Sequence, residues 1–354
     1  MDGPTASVVI CVYNRPIQVV ECLESLLAMD FKDFEIVVVD DASTDDTADQ
    51  LEHFRQSHPR IPMTIVRNEH NLGVSGARNA GLKAAQGEFV FFTDSDCTVD
   101  RGWLGTFLKV FDQPDVGAVS GLVLDVVPQT LAECAYVGTC RIGSNKWQRR
   151  DLVGSNMGFR RTLVVRYRFD EALTYYCDEE DIAWRMQRNG HHSAFVSEAV
   201  VYHHHRMHLY EYLRQAVCHG RGAARLWYKY GMYVGRDLWA LTAGLLALPL
   251  AILEGRFLYL VAFFGSLQVA ALVYNERVFK GKKWLETLYI LPVCILYTVM
   301  KGWGVFTTLL RIAYGGEQAI RASKQRLRYT SHRTLTTPSH SKVTDHHEGI
   351  TPSA

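Results

Sequence analysis

Residues Glu88–Asp100 read EFVFFTDSDCTVD, and the fold turns on that stretch. Phe89, Val90, Phe91, Phe92 and Thr93 have strand character and run directly into Asp94-Ser95-Asp96. Carboxylates at the end of a core strand are costly unless they are paired or hold a cation. Aspartates there can simply cap the next helix. At the C-terminal edge of an open α/β sheet, however, ligands usually bind. Two hard oxygen donors on such a corner suit Mg2+ or Mn2+, which keep water and phosphate oxygens as further ligands.

The chain upstream builds a framework for this strand. Ala6–Tyr13 (ASVVICVY) is a β-branched run closing on Asn14-Arg15-Pro16, a strand followed by a turn. Pro16 suits the first turn of a helix, along which Ile17, Val20, Leu23 and Leu27 recur at helical spacing. Phe34–Val39 is a second strand ending at Asp40-Asp41, and Ser43, Thr44 or Asp45 is placed to cap the helix carrying Ala48 and Leu51. Met63–Val66 is a short third strand and Asn68–Gly73 a polar loop. Val74–Ala85 is a helix rich in small residues, which lets it approach a neighbour closely. Four alternations of strand and helix call for a parallel sheet covered on both faces. Three strands then end in polar clusters, Tyr13-Asn14, Asp40-Asp41 and Asp94-Ser95-Asp96, which should gather along one sheet edge. A Rossmann dinucleotide site would need G-x-G-x-x-G after the first strand, and Val12–Pro16 has none. A phosphoacceptor receiver also pairs acids after an early strand, but here the pair follows the second strand and the chain is far too long.

At 354 residues the chain exceeds one typical domain. Its net charge of +1 gives no pull toward nucleic acid. Eight cysteines are scattered without a C-x-x-C pair, which favours free thiols in a reducing compartment over a disulfide framework or a zinc site. Met1–Pro4 lacks the basic start of a secretory signal, so the N-terminal part is expected in the cytoplasm.

Downstream, Arg101–Phe111 reads as a helix and Val116–Leu124 as a fifth strand. The stretch 125–153 is irregular; its Arg141, Lys146, Trp147, Arg149 and Arg150 fit a solvated face better than a loop near a phosphate. Cys177–Gly190 (CDEEDIAWRMQRNG) opens a helix with four consecutive acids and sets Ile182, Ala183 and Met186 on one face. The helix dipole accounts for acids at an N-terminus, but four in a row repel one another and should raise one pKa. Val200–His208 carries His203-His204-His205, whose side chains alternate between faces if the segment is a strand, so at most two of them reach one site.

Val8–Arg15, Ile36–Asp46, Arg67–Gly81 (RNEHNLGVSGARNAG) and Thr93–Asp96, in this order and spacing, resemble the family 2 glycosyltransferases with the GT-A fold, over residues 6 to 230. The resemblance implies that Tyr13, with Asn14 beside it, meets the nucleotide base of a sugar donor. It implies that Asp41, with Asp40 beside it, contacts base and ribose, that Arg78 lies near base and diphosphate, and that Asp94 lies near the ribose. It makes Asp96 a metal ligand and His203 a second one. Gly154–Phe159 (GSNMGF) resembles the family's acceptor-side turn. The family's E-D motif falls on Asp181 as catalytic base, with Glu180 as understudy; a base is needed because a sugar hydroxyl is a poor nucleophile near neutral pH.

Leu209–Val234 is basic and aromatic and reads as a helix on the membrane surface. Processive members of the family carry Q-x-x-R-W here, whereas this chain has Gln215-Ala216-Val217-Cys218-His219, which favours transfer of a single sugar. Leu238–Tyr274 is long enough for two apolar helices turning at Glu254-Gly255-Arg256. Basic residues in Asn275–Lys283 would return that loop to the cytoplasm by the positive-inside rule. Thr287–Met300 is short for a span, which leaves crossing, re-entry or a path along the interface through Arg311 open, and Thr330–Ala354 is patternless and expected to be disordered.

The chain is therefore expected to hold a GT-A catalytic domain at 1–207 with a mostly parallel sheet flanked by helices. An amphipathic interfacial helix at 208–236, C-terminal transmembrane helices within 237–316 and a basic tail at 317–354 should follow. The expected activity is metal-dependent (Mn2+ or Mg2+), inverting transfer from a nucleotide-diphosphate sugar to a lipid-linked or cell-envelope glycan acceptor. Membrane lipid is an expected partner and nucleic acid is not; the catalytic domain should face the cytoplasm. A processive polysaccharide synthase and a catalytically silent nucleotide-sugar-binding scaffold are the competing expectations.

Overall fold

A computed structural model describes residues 3–126, 130–136, 152–173, 176–204, 208–231, 258–274 and 284–314. In chain order these form β1 (Ala6–Val12), α1 (Pro16–Leu27), β2 (Phe34–Asp40), α2 (Thr47–Ser57), β3 (Met63–Arg67), α3 (Gly73–Ala84), β4 (Phe89–Asp94), β5 (Cys97–Val99), α4 (Trp103–Val110) and β6 (Val116–Asp125). Then come α5 (Leu131–Tyr136), β7 (Asn156–Arg160), α6 (Arg161–Tyr167), α7 (Asp178–Gln187), β8 (His192–His203), α8 (Leu209–Tyr230), α9 (Leu258–Tyr274) and α10 (Trp284–Ala313).

The strands make one eight-stranded sheet in the order β3-β2-β1-β4-β7-β6-β8-β5. Strands β1 to β4 pair in parallel, as the strand–helix alternation predicts. The other half is mixed: β7 runs antiparallel to both β4 and β6, and β5 antiparallel to β8. The expected turn at Gly154–Phe159 is thus mostly a central strand. Residues of β1 and β2 are buried on both faces, the signature of a sheet covered by helices on either side. One face packs Ile10, Leu23, Leu26, Phe91, Trp103 and Phe107; the other packs Val9, Val37, Leu82, Phe92, Phe159 and Ile182. The buried stripe of α1 is Val19, Cys22, Leu23 and Leu26, with Ile17 exposed, so it is rotated from the stripe read in the sequence. The small residues of α3 serve close packing, since a Cβ on Gly81 would lie 2.4 Å from Val9 Cγ1.

Register sets the polar strand ends level with one another. Val12 pairs with Asp40 and Cys11 with Asp94, so Tyr13, Asp41 and Asp96 all emerge at the same edge of the sheet.

At the C-terminal end, α8 crosses α10 backbone to backbone. A Cβ on Gly220 would lie 2.0 Å from the Lys301 carbonyl oxygen, and one on Gly304 2.2 Å from that of Val217. The apolar run at Thr287 does not stop at Met300: α10 continues through Lys301, and its 27 residues Thr287–Ala313 have a mean hydropathy of 1.5. Among the described residues this is the one helix long and apolar enough to cross a membrane. Of the two apolar helices expected in Leu238–Tyr274 the second is α9, while the first, the basic residues 141–150, the loop at 275–283 and the tail fall outside the described residues.

Candidate active site

The corner after β1 and β2 is stitched by short polar bonds. Asn14 takes a left-handed φ of 53°, which its side chain tolerates, and Ala42 takes 65°, a conformation costly for alanine. The Asn14 amide donates to Ser43 Oγ at 3.0 Å, and the Thr44 amide donates to Asn14 Oδ1 at 2.8 Å. The Tyr13 ring stands 45% exposed beside them. Asp40 is buried; its Oδ1 accepts the Ser43 amide at 2.9 Å, and its Oδ2 faces Arg67 Nε at 3.5 Å. Asp41 organises the loop ahead of α3, accepting Asn68 Nδ2 at 2.7 Å and the amides of Leu72 and Gly73 at 3.0 Å each.

Beyond β4, Asp94, Asp96, Cys97 and His203 place one ligand-capable atom each within 4.8 Å of the others. His203 is brought there by pairing: it sits opposite Cys97 in β5 and Asp125 in β6. Its Nε2 lies 3.2 Å from Asp96 Oδ1. Burial would lower the His203 pKa, but Asp96 outweighs burial and raises it above 6.5. His204 faces away, within 2.9 Å of Thr98 Oγ1, as strand alternation requires. Two carboxylates and an imidazole suit a hard or borderline divalent cation. The Cys97 thiol is pushed well up by burial and by Asp96, so it stays protonated and is a poor ligand. Arg15 pairs with Asp96 from the turn after β1, putting a positive charge against the cluster. The residues present therefore fit a divalent cation.

Across the edge lies the acid turn that opens α7. Arg78, buried on α3, joins the two regions: Nη1 donates to Asp178 Oδ2 at 2.5 Å, Nη2 donates to the Gly154 carbonyl at 3.0 Å, and Asp94 Oδ1 is 3.6 Å away. The guanidinium is largely committed to the protein rather than open to a ligand. Glu179 and Glu180 are half-buried. Burial, then the charges of Glu180 and Asp178, hold the Glu179 carboxyl well above the ordinary 4.5.

Asp181, read from the sequence as the base, sits among cations. It is fully buried. Its Oδ2 accepts Arg185 Nε at 2.8 Å, and its Oδ1 accepts both Lys229 Nζ and the Tyr230 hydroxyl at 2.6 Å. Burial would raise its pKa, but Arg185, Lys229 and the bonds from Lys229 and Tyr230 outweigh it and hold the group below 3.8. The spacing carried the signal: Asp181 and Arg185 stand four apart on one helix, an ion-pair spacing legible in the sequence.

Replacing Asp181 by alanine should strand the buried charges of Arg185 and Lys229 and cost about 3–5 kcal/mol of stability, measured by denaturant unfolding. Because the folded pKa is depressed, this stabilisation is present above the unfolded value of 3.8 and is lost as pH falls through the lower folded one.

Residues 7–166 match the family model described as "Glycosyl transferase family 2". The chain carries a family 2 glycosyltransferase domain. A GalNAc(5)-diNAcBac-PP-undecaprenol beta-1,3-glucosyltransferase of Campylobacter jejuni is 36% identical over 106 residues, covering 30% of this chain and 34% of that one. An Escherichia coli UDP-Glc:alpha-D-GlcNAc-diphosphoundecaprenol beta-1,3-glucosyltransferase is 37% identical over 90 residues, covering 25% of this chain and 34% of the relative. The chain thus spans about a third of the length of these curated relatives. Among solved structures, a mannosyltransferase from Pyrobaculum calidifontis in complex with GDP-Man and Mn2+ aligns with a TM-score of 0.58 at 22% identity, covering 85% of this chain and 88% of that one. At that identity the likeness is one of fold, the GT-A fold with its mixed α/β sheet. The match of the glycosyltransferase domain ends at residue 166, so the acid turn, His203 and α8 join it through the contacts above rather than through the family model.

Proposed function

We propose that this protein is a membrane-associated glycosyltransferase that moves one sugar from a nucleotide-diphosphate donor to a hydroxyl of a lipid-linked glycan, with inversion. One observation carries the reading: a cation-suited cluster and an acid turn share one sheet edge, joined through Arg78, which reaches toward Asp94 and bonds Asp178. Tyr13 offers the exposed ring face for a nucleotide base, and the loops held by Asn14, Asp40 and Asp41 shape the pocket beside it. Asp94, Asp96 and His203 would hold Mn2+ or Mg2+. When bound, such a cation acts as Lewis acid on the leaving diphosphate.

With Asp178 tied to Arg78 and Asp181 tied to Arg185 and Lys229, Glu179 takes the proton of the acceptor hydroxyl. Its raised pKa suits a base working toward neutral pH. Direct attack then inverts the anomeric centre; a product of retained configuration, read by NMR of the anomeric proton, would overturn this step. The lipid-linked acceptor is supported by the names of the bacterial relatives and by α8 and α10 packing behind the acid turn. In this reading 1–207 is the catalytic unit, 208–236 its interfacial helix and 237–316 the membrane region, with the donor site toward the cytoplasm.

The test is a thermal-shift panel of UDP, GDP, dTDP and CDP, with and without Mn2+, on the detergent-solubilised chain. A metal-dependent shift with one nucleotide is expected and would choose the donor class. No shift with any of them in folded protein would remove the donor site. Transfer rate should also rise with pH along a limb set by Glu179, above the ordinary glutamate value of 4.5. A pH–rate profile already flat there would point to another base.

A further inference from the structure

Each carboxylate of the cation-suited cluster faces an arginine, and the two arginines are held very differently. Arg78, opposite Asp94, is only 6% exposed, and its fork is bonded to Asp178 and the Gly154 carbonyl, so it stays in place. The Arg15 side chain is 43% exposed, and among the described residues Asp96 is its one salt-bridge partner. The Arg15 backbone, by contrast, is fixed. Its amide donates to Thr47 Oγ1 at 2.9 Å, its carbonyl accepts the Val19 amide at 3.2 Å, and Pro16 follows as the first residue of α1. Only the long side chain is left to move, on a pivot two residues from Tyr13.

Both oxygens of Asp96 are engaged within the protein: Oδ2 takes Arg15 Nη1, and Oδ1 faces His203 Nε2 at 3.2 Å. A divalent cation ligated by Asp96 would stand close to the Arg15 guanidinium. Like charges at such range repel strongly where water is scarce, and the Asp96 side chain is 12% exposed. One of its two partners has to give way. His203 is pinned in β8 by pairing with Cys97 and Asp125, and it is itself suited to ligate the cation. Arg15 is the one able to swing. The turn that carries it also carries Tyr13, so its reach runs between the ring that would stack on a base and the acids that would hold a cation. In a bound nucleoside diphosphate the group lying between those two points is the diphosphate, whose oxygens match a guanidinium fork.

We propose that Arg15 is an exchangeable counter-ion: it neutralises Asp96 until the donor arrives, then yields Asp96 to the cation and moves onto the donor's diphosphate. This rests on the glycosyltransferase reading above and adds a rule for how its two ligands bind. The cation alone is held weakly, because Arg15 competes for Asp96. The diphosphate draws Arg15 away and so tightens the cation, and by linkage the cation tightens the diphosphate by the same factor.

The experiment follows Mn2+ binding to the full chain in non-ionic detergent through the electron paramagnetic resonance signal of free Mn2+, against a protein-free control. Mn2+ is titrated alone and with UDP, GDP, dTDP or CDP, and each diphosphate is compared with its monophosphate. Wild type should hold Mn2+ weakly alone and more tightly with one of the diphosphates. Arg15→Gln should act in opposite directions on the two ligands. It should tighten Mn2+ alone about tenfold and weaken the diphosphate in the presence of Mn2+ about tenfold or more, the weight of one charge-assisted hydrogen bond. Arg15→Lys should keep only part of the coupling, because an ammonium lacks the fork. A merely structural role would weaken both ligands together, and that outcome would overturn the proposal. Equal weakening of monophosphate and diphosphate would put Arg15 at the nucleoside end and overturn it too. Nucleotide binding with the same affinity for Mn2+ alone in wild type and Arg15→Gln would sink this proposal and leave the donor site standing. Folded wild type that bound Mn2+ but no nucleotide would instead remove the glycosyltransferase reading, and the proposal with it.

Discussion

Asp96→Ala should abolish the metal-dependent nucleotide shift and lower sugar transfer about a thousandfold or more, since a bound cation supplies several kcal/mol to the leaving diphosphate. Asp96 sits where β4, the turn after β1 and His203 converge. Its removal should leave the fold intact, because Asp96 itself belongs to neither hydrophobic core. Circular dichroism and unfolding of the nucleotide-free variant check that point. Metal-dependent nucleotide binding that survived in Asp96→Ala would show that the cation, if one binds, sits elsewhere.

Glu179→Gln should be the second severe variant, and of another kind. Loss of a positioned general base costs about 10²–10⁴ in rate. Nucleotide affinity should stay at the wild-type level, since Arg78 keeps its bonds to Asp178 and Gly154. The contrast with Asp181→Asn separates the two acids of one helix. Glu179→Gln should fold normally and turn over slowly, whereas Asp181→Asn should lose stability first and activity in proportion to the protein unfolded. If instead Asp181→Asn were inactive while fully folded and Glu179→Gln active, the proton would have to leave by way of Asp181 despite its three hydrogen bonds.

The sheet edge was legible because it depends on local patterns. β-branched runs ending in acids specify where strands stop, and parallel pairing then aligns those stops, so Tyr13, Asp40 and Asp96 could be grouped before any pairing was known. The antiparallel half was harder to read. Asn156–Arg160 is short and rich in small polar residues, and it becomes a strand because β4 and β6 both offer it an open edge. Within the acid run, four carboxylates look alike on paper. What tells them apart is long-range: Arg78 comes from α3 to meet Asp178, and Lys229 and Tyr230 come from α8 to meet Asp181. Arg15 was passed over for the same reason, since only the corner geometry brings it to Asp96. The course of α10 stayed open in the sequence because Lys301 interrupts the apolar run, although one charge does not end a helix that packs its backbone on a neighbour.

The crossing at Gly220 and Gly304 has a practical consequence for anyone who wishes to work with this enzyme as a soluble fragment. A cut after residue 231 would look natural, since it follows the last turn of α8 and removes the apolar helices. It would also strip the cover from Tyr212, which shares a buried cluster with Ile290, Val293 and Cys294 of α10. The remaining fragment would carry a newly bared greasy ridge directly behind its acid turn, and would be prone to clump or to bind detergent there. Expression should therefore keep the chain at least through Ala313.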